Sequence, residues 1–394
     1  MPTNPVEMCV LCGHDTFKEF SQSMRLKSVT SDCKFWDCGG IIEVCEYCGH
    51  IQKRMDPLWR EEVSRIYANY TIYHLSEGKE QVVFDDDSSA VFPRSLRIFE
   101  SLEGQVNISE QGCLMDVGCG NGELLCLFNK KYPGWVLAGY EQDEKCRGNI
   151  VRIPGVRHFY SGEIDLIDQI DQKFDFITLM DVLEHVFQPV QLLKQLRSKL
   201  VSGGMVLVHV PDYSQNPFDL LVMDHCSHFT PETLIQTARH SGFEVRVFAT
   251  DWIPRYITVV LCVTKNQAMQ KIAKRDPKDV AKAVAVDIKW LEDVVEHARK
   301  SADKGELGVF GTAIAGTWLA GRLGSLACFF VDEDPMRLGK THMGREVIHP
   351  FDVLENNEVY LPVVPEKATQ INNRFKRSEK LLKLILPPMF SSKL

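Results

Sequence analysis

The chain has 394 residues, of which 44% are apolar and 25% charged, a globular composition in a chain too long for one ordinary core. Its 45 basic and 53 acidic residues give a formal charge of −8, which argues against nucleic-acid binding driven by bulk electrostatics. No apolar run is long enough for a membrane span, and the first residues lack the basic start and apolar stretch of a secretory signal. With 13 cysteines and no visible secretory signal, we expect a reducing, cytoplasmic setting. The charge and the short apolar runs predict that neither nucleic acid nor membrane is a partner.

Two Cys-x-x-Cys pairs, each followed by glycine, lie within residues 1–60: Cys9 with Cys12, and Cys45 with Cys48. Two intervening residues let both thiolates of a pair reach one tetrahedral ion, and glycine lets backbone amides point at sulfur. The spacing predicts a zinc-binding ribbon with a structural, non-catalytic ion. Reduced core thiols and disulfides are the alternatives.

Residues 61–90 are predicted to form a connector that is rich in aromatic and acidic side chains. Tyrosines recur at Tyr67, Tyr70 and Tyr73, and an acidic run follows at 85–87.

Residues 91–265 alternate short apolar runs with helical patterns, which predicts an α/β fold with a mainly parallel sheet covered by helices on both faces. Strands are expected near 113–117, 135–140, 156–160, 174–180, 204–210, 243–249 and 256–264, the last two as an antiparallel edge hairpin. Helices are expected near 91–103, 122–132, 143–151, 188–200 and 231–241. Residues 266–304 predict a linking helix, single or broken at Asp276-Pro277, and residues 387–394 a tail.

A glycine turn follows the first of these strands, with an acid at the strand end: Asp116, Gly118, Gly120 and Gly122 form a D-x-G-x-G-x-G motif. A dinucleotide site would have glycine at position 123, where this chain has Glu123. The motif resembles the first motif of class I S-adenosylmethionine (SAM) methyltransferases. The resemblance implies that the turn holds the methionine part of SAM.

Three further acids lie at strand ends with the spacing of that superfamily. Glu141 ends the second strand, where an acid can accept both ribose hydroxyls, although it also suits a solvated acid opening a helix. Glu163 follows the third strand, where polar contacts to adenine are usual, and Asp181 ends the fourth. Beside it, His185 fits either a catalytic or a packing histidine.

The loop before Thr230-Pro231-Glu232 is the candidate catalytic segment. Thr230 is predicted to cap a helix with proline in its first turn, so Asp224 to Phe229 should enter that helix over the carboxyl edge of the sheet. His225 is the candidate general base, with Asp224 as its carboxylate neighbour and His228 nearby. There are two alternative interpretations of this segment: a purely structural loop, and a second metal site formed by Asp224, His225, Cys226 and His228.

The order of cysteine module, tyrosine-rich connector, SAM domain and C-terminal α/β domain resembles the sugar C-methyltransferases that act on deoxysugar nucleotides. In that family a Tyr-His-Glu-His-x-Ser-Tyr-Phe segment carries the catalytic histidine, which aligns with His225. The resemblance implies C-methylation beside a keto group of a nucleotide sugar, with the connector contributing to the acceptor site. This chain departs from the segment at Val222, Met223 and His228. An O- or N-methyltransferase of a related metabolite, and a non-catalytic zinc-ribbon protein that senses nucleotides, are therefore alternatives.

Residues 305–386 contain a second strand and glycine turn, Gly308 to Gly316, followed by a strand that ends in Asp332. The pattern predicts a second, C-terminal Rossmann-like domain. The family resemblance implies that it closes over the nucleotide-linked acceptor, with the phosphates at the turn. A pyridine-nucleotide site and a degenerate structural domain are the alternatives.

Overall fold

The computed structural model describes residues 8–71, 82–84, 91–263, 275–302, 305–377 and 382–390. Tyr73, the acidic run 85–87, the first part of the predicted linking helix and the last four residues lie outside these ranges. In the described part, the chain forms three sheets of four, seven and six strands and two short two-stranded pairs. None of the described helices is both long and apolar enough to cross a membrane.

The N-terminal part is a small antiparallel sheet followed by one helix. Its strands are β1 (Phe17–Phe20), β4 (Ile42–Cys45) and β5 (Ile51–Lys53), with a separate pair β2 (Ser28–Val29) and β3 (Phe35–Trp36) between them, and helix α1 covers Pro57–Ala68. Asp56 caps α1 by accepting a hydrogen bond from the Trp59 amide. The predicted boundary at residue 60 therefore falls inside a helix.

The central seven-stranded sheet follows a two-stranded pair, β6 (Val82–Phe84) with β7 (Val91–Pro93), and helix α2 (Arg94–Glu103). Its elements are β8 (Cys113–Val117), α3 (Glu123–Lys131), β9 (Val136–Glu141), α4 (Arg147–Ile150), β10 (Val156–Ser161), β11 (Phe174–Met180), α5 (Pro189–Ser198), β12 (Leu200–Pro211), α6 (Pro231–His240), β14 (Glu244–Ala249) and β15 (Tyr256–Cys262). The strand order is β10-β9-β8-β11-β12-β15-β14, parallel except for β15. The predicted mainly parallel sheet and its antiparallel edge hairpin are confirmed.

Two local expectations for this sheet had different outcomes. Thr230 caps α6 in a capping box with Thr233, and Pro231 opens the helix, as predicted. The helix expected over 143–151 is only the single turn α4. Its sequence, Arg-Gly-Asn-Ile, contains glycine and asparagine, two weak helix formers.

The C-terminal part is a long helix and a six-stranded sheet. Its elements are α7 (Pro277–Ala302), β16 (Leu307–Phe310), α8 (Ile314–Leu323), β17 (Ala327–Val331), β18 (Thr341–His342), β19 (Arg345–Ile348), β20 (Glu358–Tyr360), α9 (Pro365–Lys376) and β21 (Lys383–Ile385). The strand order is β18-β19-β17-β16-β20-β21, with all neighbours parallel except β18 and β19.

The segment between β12 and α6 contacts both the N-terminal sheet and the helices of the C-terminal part. A short strand within it, β13 (Ser227–His228), pairs with β5 as the fourth strand of the N-terminal sheet. Phe218 packs edge-on against Trp290 of α7 and Trp318 of α8. This segment is therefore a junction between the three parts of the molecule and not a loop lying over one sheet.

Candidate active site

The first glycine turn joins β8 to α3. Gly118, Gly120 and Gly122 have φ of +71°, +50° and +82°, a region that disfavours side chains. A Cβ on Gly118 would also lie 2.4 Å from Cγ2 of Val182. These glycines are thus required by the turn itself, before any ligand is considered.

Glu141 ends β9 and its carboxylate reaches across to the turn. It accepts hydrogen bonds from the backbone amides of Gly120, at 2.8 Å, and Gln142, at 2.9 Å. Asp116 lies behind the turn and accepts a hydrogen bond from the Thr178 hydroxyl at 2.6 Å. The predicted SAM acids at the ends of β8 and β9 therefore lie around one turn.

Asp181 follows β11 with a positive φ of 55°, which is unusual for a residue with a side chain and clusters at functional sites. Its Oδ2 pairs with Arg94, which also donates to the Tyr256 hydroxyl at 3.1 Å. Its Oδ1 is buried, and no described residue hydrogen-bonds to it. Glu163 is exposed, and its backbone carbonyl accepts the Tyr140 hydroxyl.

A single cavity of ≈ 2700 Å³ joins the parts of the molecule. Its wall includes the glycine turn and the predicted SAM residues Asp116, Gly118, Gly120, Glu141, Glu163 and Asp181. It also includes His225 and Val222 from the junction segment, Tyr67 and Tyr70 from the N-terminal part, and Gly311 and Arg337 from the C-terminal part. Gly122 does not line this cavity.

His225 is held by a carboxylate that the sequence did not single out. Its Nδ1 lies 2.9 Å from Oδ1 of Asp219, and Oδ2 of the same carboxylate lies 2.6 Å from Nδ1 of His228. Burial disfavours the charged His225 ring, but attraction from Asp219 outweighs it and raises the pKa of His225 to about 9. For His228 the effect of burial is larger than the attraction from Asp219, and the pKa of His228 is lowered to about 4.

Asp224 and His228 are buried away from the cavity wall. The Asp224 carboxylate accepts hydrogen bonds from the amide of Ser31, at 2.9 Å, and from its hydroxyl, at 2.5 Å. It thus tethers the junction segment to the N-terminal part. The carboxylate neighbour expected for His225 at position 224 is instead at position 219.

A second histidine and a glutamate stand beside His225. The rings of His185 and His225 are perpendicular, with centroids 4.7 Å apart. Nδ1 of His185 lies 2.9 Å from the Asp224 carbonyl oxygen and 3.1 Å from the Tyr67 hydroxyl. Glu184 is 1% exposed, and burial raises its pKa to about 8.

The four predicted cysteine ligands come together away from the cavity. The Cys9 and Cys48 sulfurs are 3.5 Å apart, and those of Cys12 and Cys45 are 3.6 Å apart. Sulfurs at about 2.3 Å from a tetrahedral zinc ion are about 3.8 Å apart, so this set fits the ion. Contacts from the Cys48 and Cys9 thiols hold the pKa of Cys45 far below its usual range, and nearby backbone amides lower it further.

The second glycine turn has its own acid. Gly311 has φ of +83°, and a Cβ on Gly316 would lie 1.8 Å from the Gly311 carbonyl oxygen, so α8 packs directly on the turn. Asp332 accepts hydrogen bonds from the Thr312 amide, at 2.9 Å, and hydroxyl, at 2.7 Å. Arg337 donates to the same hydroxyl at 2.8 Å. Asp332 is therefore hydrogen-bonded to its glycine turn much as Glu141 is to the first one.

Comparison with known proteins identifies the central part of the chain. Residues 90–246 match the family model described as a methyltransferase domain. No curated protein matches the sequence. Similar solved structures include "PigF with SAH" (18% identity, TM-score 0.34, covering 38% of this chain and 50% of that one). Another is an S-adenosylmethionine-dependent methyltransferase from Clostridium acetobutylicum (13% identity, TM-score 0.37, covering 51% of this chain and 98% of that one).

The chain spans half the length of the first of these structures. The family match covers the glycine turn and the strand ends that carry Glu141 and Asp181. Residues 90–246 thus correspond to a methyltransferase domain.

Proposed function

We propose that this SAM-dependent methyltransferase methylates a nucleotide-linked sugar at a carbon beside a keto group, with His225 as the general base. The observation that carries the proposal is the shared cavity. His225, held at Nδ1 by Asp219, lines the same cavity as the glycine turn and Glu141. A base and a methyl donor that share one cavity can act on the same acceptor.

The charges around the cavity favour an acceptor that carries phosphate. Around the glycine turn the wall carries Glu141, Glu163 and Asp181, the last paired with Arg94, which suits a cationic sulfonium. The C-terminal part contributes four cations, Arg337, Lys367, Arg374 and Arg377, against three acids, Asp332, Glu333 and Glu366. Two of these cations are in ion pairs, Arg337 with Asp332 and Arg374 with Glu333. Arginine and lysine beside a helix N-terminus are the usual partners of phosphate oxygens.

The proposed reaction has two steps. Nε2 of His225 removes the proton from the carbon beside the carbonyl, and the resulting enolate carbon attacks the sulfonium methyl, releasing S-adenosylhomocysteine. A ketone α-proton is a weak acid, so a strong, oriented base is needed, and the Asp219 contact supplies both basicity and orientation. Tyr67, in the cavity wall, is the proposed hydroxyl donor to the enolate oxygen in place of the family's tyrosine at position 222.

The outer parts have supporting roles in this proposal. The four-cysteine site holds a structural zinc ion that stabilises the N-terminal ribbon. The six-stranded C-terminal sheet acts as a second Rossmann-like domain whose turn at Gly311 faces the nucleotide phosphates. SAM is held by Gly118, Gly120, Glu141 and Asp181, with Glu163 at the adenine.

One observation favours a second candidate, methylation of a hydroxyl or amine. Val222 lines the cavity where the resembling family has a hydroxyl, so an enolate would lose that donor. Methyl transfer to a hydroxyl oxygen or an amine nitrogen forms no enolate, so it needs only the base.

The test is incubation with SAM and a panel of keto and hydroxyl sugar nucleotides, followed by assay of S-adenosylhomocysteine. We expect release with a 4-keto sugar nucleotide and exchange of its α-hydrogen with deuterated solvent. Release without α-exchange would favour the oxygen or nitrogen acceptor. No release with any member of the panel would refute the proposed substrate class.

A further inference from the structure

Glu184 has a buried carboxyl group without a hydrogen-bond partner in the described part of the chain. Its side chain is 1% exposed and lines the cavity, and neither carboxylate oxygen accepts a hydrogen bond from the residues that the structure describes. Leaving such a group unsatisfied is costly, so an orphaned buried carboxylate at a cavity wall calls for an explanation.

The two histidines beside Glu184 are oriented as metal ligands usually are. Nδ1 of His185 lies 2.9 Å from the Asp224 carbonyl oxygen, and Nδ1 of His225 lies 2.9 Å from the Asp219 carboxylate. Ligating histidines usually donate one ring nitrogen to a carbonyl or carboxylate, which fixes the ring and leaves the other nitrogen for the ion. For both rings the remaining nitrogen is Nε2.

The three side chains are close enough to share an ion. One ligand atom from each of Glu184, His185 and His225 lies within 4.8 Å of the other two. Two ligands about 2.1 Å from a metal are at most about 4.2 Å apart, so a small inward rotation completes the set.

We propose that Glu184, His185 and His225 bind a divalent transition-metal ion at the cavity wall. Two imidazoles with one carboxylate favour zinc, iron, cobalt or nickel, whereas magnesium and calcium prefer oxygen ligands. The neighbouring set of Asp219, His225 and His228 is a poorer site, because the carboxylate is already in direct hydrogen-bond contact with both rings.

Occupancy of this site has a consequence that rests on the proposed function. An ion on Nε2 of His225 takes the lone pair that proton removal needs, so the bound ion and the base role exclude each other. The bound ion therefore inhibits methyl transfer.

Calorimetric titration of the purified protein with Zn²⁺ tests the site, with Glu184→Gln as the variant and Glu296→Gln as its control. Glu296 is an exposed glutamate on α7 and is paired with Lys300. We expect Glu184→Gln to bind one fewer equivalent, or to bind it at least ~100-fold more weakly, as the loss of a ligand should cost no less than loss of its hydrogen-bond partner. Glu296→Gln should match the wild type. Because Glu→Gln is nearly isosteric, folding is checked by circular dichroism, and His185→Gln provides a second ligand variant.

Identical zinc titrations for wild type and both ligand variants would overturn the site. The inhibition is tested separately, by adding Zn²⁺ to an assay of methyl transfer. Binding that depends on Glu184 without inhibition would leave the site standing and contradict the role of His225 as base. If neither Glu184-dependent zinc binding nor inhibition by zinc is observed while the metal-free enzyme still turns over, the metal site is refuted and the proposed function is not affected.

Discussion

Asp219 and His225 form a buried pair, with Oδ1 of the carboxylate 2.9 Å from Nδ1 of the ring. The 3-10 segment Pro217–Leu221 carries Asp219, and this segment packs between the N-terminal sheet and helices α7 and α8. The position of Asp219 therefore depends on contacts among all three parts of the molecule. The other oxygen of the Asp219 carboxylate contacts His228, which belongs to β13, the strand paired with β5.

The first prediction concerns the pH dependence of turnover. With its pKa raised to about 9, His225 is mostly protonated at neutral pH, and the base form accumulates only as the pH rises. In protein freed of loosely bound divalent ions, kcat/KM should rise with pH and level off above about 9.

Asp219→Asn should shift this profile. Without the Asp219 charge, burial lowers the pKa of the ring against the weaker attraction from Glu184 and Asp224, so the rising limb should move to lower pH, towards the ordinary value of about 6.5. Turnover on the plateau should also fall, because the ring loses its orienting partner. A rising limb unchanged in the variant would show that Asp219 does not control His225.

The second prediction separates the base from the donor site. His225→Asn should lose at least ~100-fold in turnover, the usual scale for a general base. Its affinity for SAM, measured by calorimetry, should stay within about twofold of the wild type, since His225 belongs neither to the glycine turn nor to the Glu141 strand end that is proposed to hold SAM. Near-normal turnover would exclude the role assigned to His225.

The third prediction tests the donor site. Glu141→Ala should weaken SAM binding by about 2 kcal/mol, roughly 30-fold, through loss of charge-assisted hydrogen bonds. Glu144→Ala is the matched control, because Glu144 is an exposed acid three residues away whose partners are Ser161 and Arg147. Equal SAM affinity in the two variants would contradict the placement of ribose at Glu141. Gly118→Val is a poorer test, because its clash with Val182 disturbs the turn without any ligand.

The fourth prediction links the four-cysteine zinc site to catalysis. Purified protein should contain one tightly bound zinc ion per chain, and Cys45→Ser should lose it. Turnover should fall with it, because β5 of the same sheet pairs with β13 and the Lys53 amide donates to the Cys226 carbonyl at 3.0 Å. Cys38→Ser is the control, since Cys38 is exposed and lies outside the cluster. A metal-free, fully active Cys45→Ser protein would contradict both statements.

Local sequence patterns predicted the sheet and the donor turn because each depends on a short stretch of chain. Strand periodicity, the glycine spacing and the Thr230 cap can be recognised within about ten residues. The Asp219–His225 pairing was not predictable in this way. Asp219 precedes His225 by six residues, the two share no helix or strand, and Asp224 is the nearer acid in sequence.

Contacts across the junction decide which acid faces His225. The Asp224 carboxylate is hydrogen-bonded to Ser31, almost two hundred residues earlier in the chain, and does not line the cavity. Arg94 likewise engages Asp181 from a distant helix. Glu184 and His185 follow Asp181 closely in the sequence, but only the folded structure shows that the buried Glu184 carboxylate has no hydrogen-bond donor among the described residues.

The central claim, methyl transfer to a carbon of a nucleotide sugar, is tested most directly by isotope-labelled SAM. The enzyme is incubated with methyl-labelled SAM and a 4-keto sugar nucleotide, and the product is examined by NMR. We predict a labelled methyl group bonded to the carbon beside the carbonyl, formed together with S-adenosylhomocysteine. A labelled methyl on oxygen or nitrogen, or no labelled sugar at all, would contradict the account.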